Sequence, residues 1–315
     1  MSTDGMTMDA KKVVDRVVIG LCTLRRNEQL KEAMDSLSHI ERPSGTEVEF
    51  VLIDNDENAG AKRIFDAYEP DMPFKSHYFV EARRGLSHAR NRVIEEALKL
   101  KATAIAMFDD DEIVDDKWLV ELYKTFRTVT CDGVCGQVYR SLPLHSSRFI
   151  KKFWPNSYFP EGVLVRMIAS GNCLFSANLV SPDGMNIRFD DSFNFSGRGD
   201  LVFSFDAQLK GAKFFFASDA IVIEKFPASR ATFRYLLRRW FENGITDLMV
   251  ARRYKFGTVR RTINEVARIL SSFLLVPLMA IRGPVRQCGS ILRLALSMGW
   301  VCGLFGKSAN YYAAM

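Results

Sequence analysis

The chain has 315 residues, 48% hydrophobic and 25% charged, a globular composition that excludes collagenous, low-complexity and disordered classes. Nothing in MSTDGMTMDAKKVVD sets a basic start before an apolar run, so no secretory signal is expected and residues 1–14 read as a disordered leader. The net charge of +6 conceals an asymmetry: residues 230–315 hold 14 Lys+Arg against 3 Asp+Glu, leaving 29 against 34 elsewhere, so an acidic body carries a basic, apolar tail suited to anions.

The first two-thirds alternates strand and helix patterns. VVIGL (17–21) is an apolar, β-branched strand, and 27–40 places Leu30, Met34 and Leu37 at helical spacing. Strands follow at 49–54 and 76–82, then a helix over 85–100 that Ser87 can cap, then a buried strand at 102–108. Such alternation predicts parallel pairing in a three-layer α/β sandwich, with ligands at the carboxyl ends of the strands. Residues 130–225 are less regular, with strands at 134–140, 162–167, 171–175 and 213–226 and a helix over 197–211 ended by Gly211. The six cysteines are scattered in apolar surroundings without ligand spacing, which reads as buried free thiols in a reducing cytoplasm. The four histidines form no ligand spacing, and only His88 stands near a candidate site.

The sharpest feature is AIAMFDDDE (104–112), a buried-looking strand running into Asp109, Asp110 and Asp111. Like charges that close repel. A solvated turn before a helix starting near Asp116 explains Asp115 and Asp116, but explains three acids behind an apolar strand poorly. A divalent cation shared with a diphosphate explains them better, because one or two carboxylates plus phosphate oxygens is how magnesium is held.

With these pieces in order, the sequence resembles a family 2 glycosyltransferase of the GT-A fold, close to the bacterial exopolysaccharide enzymes that include succinoglycan glucosyltransferases. The resemblance spans roughly 15–245. It rests on VVIGLCTLRRNEQL, FVLIDND, RRGLSHARNRVIEEA, FDDDE as a DxD motif, SGNCLF, and FDDSFNFSGRGDLVFSFDAQLKGAK. It implies a GT-A sandwich with a mostly parallel central sheet over 15–228 and a nucleotide-diphosphate sugar donor, UDP-linked by first expectation. It further implies that Thr23, Arg25, Asp54, Arg84, Arg90, Asp109 and Asp110 bind the donor. Asp109 and Asp111 would hold Mn2+ or Mg2+. The family's base lies in a G-x-E-D stretch; here Gly197-Arg198-Gly199-Asp200 matches it with Gly199 in place of Glu, so Asp200 is the expected base of an inverting displacement, with Asp190 or Asp191 as runner-up. Asn172, Asp191, Arg198, Arg238, Arg239 and Trp240 are expected near the acceptor or diphosphate. The triplet Arg238-Arg239-Trp240 is similar to the R-W pair of processive members, but Leu236 stands where their Gln would be, which implies transfer of a single sugar. A nucleotidyltransferase is the weaker reading, because LCTLRRNEQ lacks glycine, and a non-enzymatic membrane-associated binding protein is another.

The tail, 229–315, opens with an expected helix capped by Ser229 and stopped at Asn243-Gly244, with Phe233, Leu236, Leu237, Trp240 and Phe241 on one stripe. ILSSFLLVPLMAI (269–281) is shorter than the about 20 residues a bilayer span needs. The following segment, 288–306, carries Arg293. A hairpin through the membrane would send Arg282 and Arg286 to the far side, against the positive-inside tendency. The tail is therefore read as helices lying on an anionic membrane surface at the cytoplasmic face of the bacterial inner membrane, peripheral or monotopic, with helical core packing as the plainer alternative. Arginines interleaved with Leu, Ile, Val and Phe argue against nucleic acid. A polyprenyl-diphosphate-linked glycan is the expected acceptor.

Overall fold

The structure, a computed structural model, describes residues 14–309 except 155, 157 and 282, and within the last two helices it leaves out the side chains of 273–281 and 284–286. The leader 1–13, Arg282 and the side chain of Arg286 thus lie outside the described residues. In chain order the elements are β1 (Asp15–Thr23), α1 (Asn27–Ser38), β2 (Thr46–Asp54), α2 (Lys62–Tyr68), β3 (Lys75–Val80), α3 (Leu86–Lys99), β4 (Ala104–Asp109), β5 (Glu112–Val114), α4 (Trp118–Thr128) and β6 (Gly133–Ser141). There follow α5 (Arg148–Phe153), β7 (Leu164–Val165), β8 (Asn172–Ser176), α6 (Ala177–Val180), α7 (Gly199–Leu209), β9 (Phe214–Lys225), α8 (Phe233–Arg253), α9 (Thr258–Ile281) and α10 (Pro284–Leu304).

Among the described residues, nine strands share one sheet, ordered β3-β2-β1-β4-β8-β6-β9-β5, with β7 added beside β9. The block β3-β2-β1-β4 is parallel, as is β6 with β9, while β8, β5 and β7 join antiparallel. Strands β1, β2 and β4 are apolar on both faces because helices cover both. On one side, Leu30, Met34 and Leu37 of α1 pack with Phe50 and Trp118 of α4; on the other, Val93 and Ala97 of α3 pack with Ile105 and Phe203 of α7. Residues at β1, β2 and β4 ends therefore converge on one rim of the sheet, where the expected ligand crevice lies.

Two helix boundaries differ from expectation in the tail. Helix α8 is capped by Thr232, whose hydroxyl accepts from Tyr235 N, rather than by Ser229. It also runs through Asn243-Gly244 to Arg253. Gly244 is not a stop but a contact: a Cβ there would sit 2.0 Å from Leu296 O of α10, and one on Gly299 would sit 1.8 Å from Phe241 O of α8. The pair lets α8 and α10 cross at backbone distance, a job only glycine performs.

Candidate active site

At the end of β4 the acids are close, and arginines rather than bulk water answer them. Asp110 is buried, accepting from Thr23 Oγ1 at 2.8 Å and from Arg26 at 2.9 Å. Arg26 also reaches Asp111 at 3.1 Å, and Arg230, just before α8, reaches the same carboxylate at 3.4 Å. Asp109 is met by Arg90 of α3 at 3.3 Å. Burial pushes Asp110 up to about 6 against the pull of Arg26, and burial likewise raises Asp109 against Arg90. Behind them Glu112 accepts from Asp109 N at 2.9 Å, and burial holds its carboxyl well above the usual range. Glu224 pairs with Glu112 across β5 and β9 and is raised by burial too. The cluster is a crowded set of hard oxygen donors, four of which, Asp109, Asp110, Glu112 and Glu224, burial pushes toward protonation.

Arg90 is 5% exposed, stacks over Phe189 at 5.4 Å, and donates on its other side to Asp200 Oδ1 at 3.0 Å. One guanidinium thus ties the acid cluster on β4 to the aspartate in the first turn of α7. Its helix is anchored by the segment that leads into α7: Asn194 Oδ1 accepts from Ser87 N at 2.8 Å and His88 N at 3.3 Å, capping α3 from 107 residues away. Ser87, the expected cap, instead donates its hydroxyl to Asp190 O. Gly85 before it has φ +145°, and a Cβ there would strike Asn194 Oδ1 at 2.4 Å, so glycine is required on both counts.

Around these groups lies a cavity of about 300 Å³, walled by Thr23, Arg26, Arg84, Arg90, Asp109–Glu112 and Asp200, and closed from the tail side by Arg230, Tyr235 and Arg239. Of the expected donor residues, Thr23, Arg84, Arg90, Asp109 and Asp110 meet here, as do the expected metal ligand Asp111 and Asp200. Others do not. Asp54 is fully buried beneath the cavity; its carboxylate accepts from Asp56 N, Ala61 N and Tyr78 OH, and so shapes the turn that presents Asn55 to the wall. Arg25, with φ 54°, turns away to a two-point pairing with Asp56 at 2.8 and 3.0 Å. Asn172 is a core residue, bonded to Trp118 Nε1, Gln137 O and Ala220 O. Arg198 pairs with Asp247 of α8 at 2.9 Å, Arg238 pairs with Glu242 one turn on, and Trp240 packs on Phe153; none of the three lines the cavity. Asp191 is exposed, 3.3 Å from His88. A Cβ on Gly199 would meet only Phe189 at 3.9 Å, so no steric reason excludes a side chain there.

Sequence reasoning missed Arg26, Glu112, Glu224, Arg230, Tyr235 and Trp154, all in the cavity wall. Arg26 had a signal, since it follows a strand end beside Arg25, and Glu112 is simply the fourth acid of DDDE. Glu224, Arg230 and Trp154 had none, because only the β5–β9 pairing and the approach of α8 bring them in. Among the described residues, no group of three or more His, Cys, Asp or Glu side chains is arranged to cage a metal by itself.

The profile of Glycosyl transferase family 2 matches residues 18–181, the parallel block of the sheet together with the acid cluster. The chain belongs to glycosyl transferase family 2. It is 28% identical over 94% of its length, and over 95% of the relative, to the succinoglycan biosynthesis protein ExoM of Rhizobium meliloti (strain 1021). Among solved structures it is similar to the mannosyltransferase PcManGT from Pyrobaculum calidifontis in complex with GDP-Man and Mn2+, at TM-score 0.62 and 15% identity, covering 93% of this chain and 88% of that one. It is also similar to S. aureus TarS at TM-score 0.52 and 15% identity, covering 72% of this chain and 39% of that longer protein. At these identities the structural likeness speaks for the fold, which is of the GT-A type, and a family 2 chain of this fold is a transferase of glycosyl groups.

Proposed function

We propose that the protein transfers a single sugar, with inversion, from a UDP-linked nucleotide-diphosphate sugar to a polyprenyl-diphosphate-linked glycan on an anionic membrane surface during exopolysaccharide assembly at the cytoplasmic face of the inner membrane. The observation that carries the reading is the Arg90 bridge. It sets Asp109 of the DxD cluster and Asp200 on two sides of one guanidinium, in one cavity. Residues 15–228 are the catalytic unit in this reading, and 229–315 supplies the cavity's outer wall and the membrane face.

Asp109 and Asp111 fit Mn2+ or Mg2+. They are hard oxygen donors, crowded and partly desolvated, and too few to cage an ion without phosphate oxygens to complete its shell. Held by these two carboxylates, a divalent ion would supply charge neutralisation to a diphosphate leaving group. The neighbouring PcManGT holds Mn2+ with its GDP-Man, and TarS 1-349 has been seen with UDP-GlcNAc, which supports both halves of the donor assignment.

The chain's own residues divide the rest. Arg26 and Arg230, which hold Asp110 and Asp111, lie beside Arg84 and Arg239 on the wall where a diphosphate would be gripped. Thr23 and Asn55 face the nucleotide end, with Asp54 acting from beneath on the turn. Asp200 accepts the proton of the acceptor hydroxyl while that oxygen bonds to the anomeric carbon and the bond to the diphosphate oxygen breaks on the opposite face. Such base catalysis contributes roughly 10²–10⁴-fold. Asp200→Asn is the test: transfer from a UDP-sugar panel should fall by that factor while UDP binding persists. Transfer near the parent rate would remove Asp200 as the base.

A further inference from the structure

Helix α9 is amphipathic in the wrong direction for a helix in water. Its residues turned toward α10 are polar: Glu265 is 4% exposed and accepts from Ser297 at 2.7 Å, Trp300 Nε1 donates to Thr262 Oγ1 at 3.0 Å, and Arg261 lies over the Trp300 ring at 4.4 Å. Among the described residues of the helix, the outward side carries an apolar run. Val259 is 76% exposed, Ile263 63%, Val266 40% and Leu270 65%. These fall at i, i+4, i+7 and i+11, a single narrow stripe. Scattered exposed apolar residues are ordinary, but a contiguous run signals a surface that is covered in use.

The charges beside the stripe say what covers it. Arg252, Lys255 and Arg260 are exposed, and with Val259, Ile263 and Asn264 they line a shallow depression at the start of α9. The three acids of the tail are withdrawn from this face. Glu242 is held by Arg238, Asp247 by Arg198 and Arg261, and Glu265 by Arg261 and Arg268. What remains outward is apolar and cationic, the chemistry of an anionic lipid headgroup layer over acyl chains. Among the described residues no helix is long and apolar enough to cross a membrane. The one-sided stripe fits contact in the plane of the membrane's surface.

We infer that the Val259-Ile263-Val266-Leu270 stripe of α9, flanked by Arg252, Lys255 and Arg260, is the face on which the protein docks in plane on an anionic phospholipid bilayer. The inference deepens the membrane placement in the proposed function by assigning it to named residues. Because α8 contributes Tyr235 and Arg239 to the cavity wall and lies against α10, a docked α9 also fixes the cavity relative to the bilayer.

The test is flotation of the full chain with vesicles of phosphatidylcholine alone or mixed with phosphatidylglycerol. The parent should float with the mixed vesicles and poorly with phosphatidylcholine. Ile263→Asp combined with Leu270→Asp should lower vesicle affinity about tenfold or more. Arg252→Gln, Lys255→Gln and Arg260→Gln should each lower it about fivefold and flatten its salt dependence. UDP binding should be the same in all of these proteins, since none of the substituted residues lines the donor cavity. Parent-like flotation of the double Asp variant would overturn the inference, as would a parent that floats with neither vesicle. So would a parent dimer that the Asp variant converts to monomer in light scattering, for the stripe would then cover a second copy. Vesicle binding that persists in a protein unable to bind UDP would leave the face standing and fell the transferase reading alone.

Discussion

In β1, Val17, Val18, Ile19 and Leu21 are wholly removed from solvent, and the polar groups sit at the strand's end; in the first half of α9, Val259, Ile263, Val266 and Leu270 face out and Glu265 and Thr262 face in. Both regions mix the same residue types. The difference lies in what surrounds them. The α/β body makes its own apolar interior between helices and sheet, so its periodicity points inward. The described part of α9 has no such interior beside its apolar stripe, which faces out. A hydropathy pattern alone cannot say on which side the water is, but buried partners can: each of the tail's acids has a cation, and the stripe has none of the body's packing.

Substitutions can sharpen that contrast. The largest effect belongs to the body. Trp118 is fully buried, packs edge-on to Phe108 at 5.4 Å and donates to Asn172 at 2.8 Å. Trp118→Ala should lower the unfolding free energy in urea by about 3–5 kcal/mol. Next is the junction of α8 with α10. Gly299→Leu must displace the Phe241 carbonyl, and overpacking of this kind should cost about 1–3 kcal/mol, read as a lower melting temperature. In the outward stripe, by contrast, Ile263→Ser should change stability in solution by less than about 0.5 kcal/mol, although Ile263 is as apolar as any core residue. A loss comparable to that of Trp118→Ala would mean the stripe is packed after all. The smallest effect is electrostatic. The hydrogen bonds from Arg25 hold Asp56 down at about 2. Asp56 is therefore expected to stabilise the fold fully above its ordinary value near 4, and that contribution fades as pH falls toward 2. Arg25→Ala should raise the Asp56 pKa toward the ordinary carboxylate value in an NMR titration.

The body was largely legible in the sequence because its strands are continuous apolar runs and its helices keep one period. Predicted strands at 49–54, 134–140 and 213–226 appear as β2, β6 and β9, and the helix over 85–100 as α3. The fold class and family followed from the order of motifs. What the sequence could not show was direction. Asp54 and Asn172 are expected at the site from the family resemblance, yet each is turned into the fold and held by backbone groups and by an aromatic side chain, Tyr78 and Trp118 respectively. Asn243-Gly244 read as a helix stop because glycine usually marks one, while its use here is a helix crossing that depends on α10, some fifty residues later. Glu224 and Arg230 belong to the cavity only through pairings set by the whole sheet. Short helices α2 and α5 carried too few turns to show a period.

The claim on which the account rests is that the acid cluster at the end of β4, held by Arg26, Arg90 and Arg230, is the seat of a cation and a diphosphate. Calorimetric titration of UDP into the protein, with Mn2+ and again with chelator, addresses it directly when repeated on Asp111→Asn. UDP is expected to bind at least about tenfold more tightly with Mn2+ than with chelator, and Asp111→Asn is expected to erase that gain. Equal UDP affinity in both buffers, unchanged by the substitution, would contradict the account.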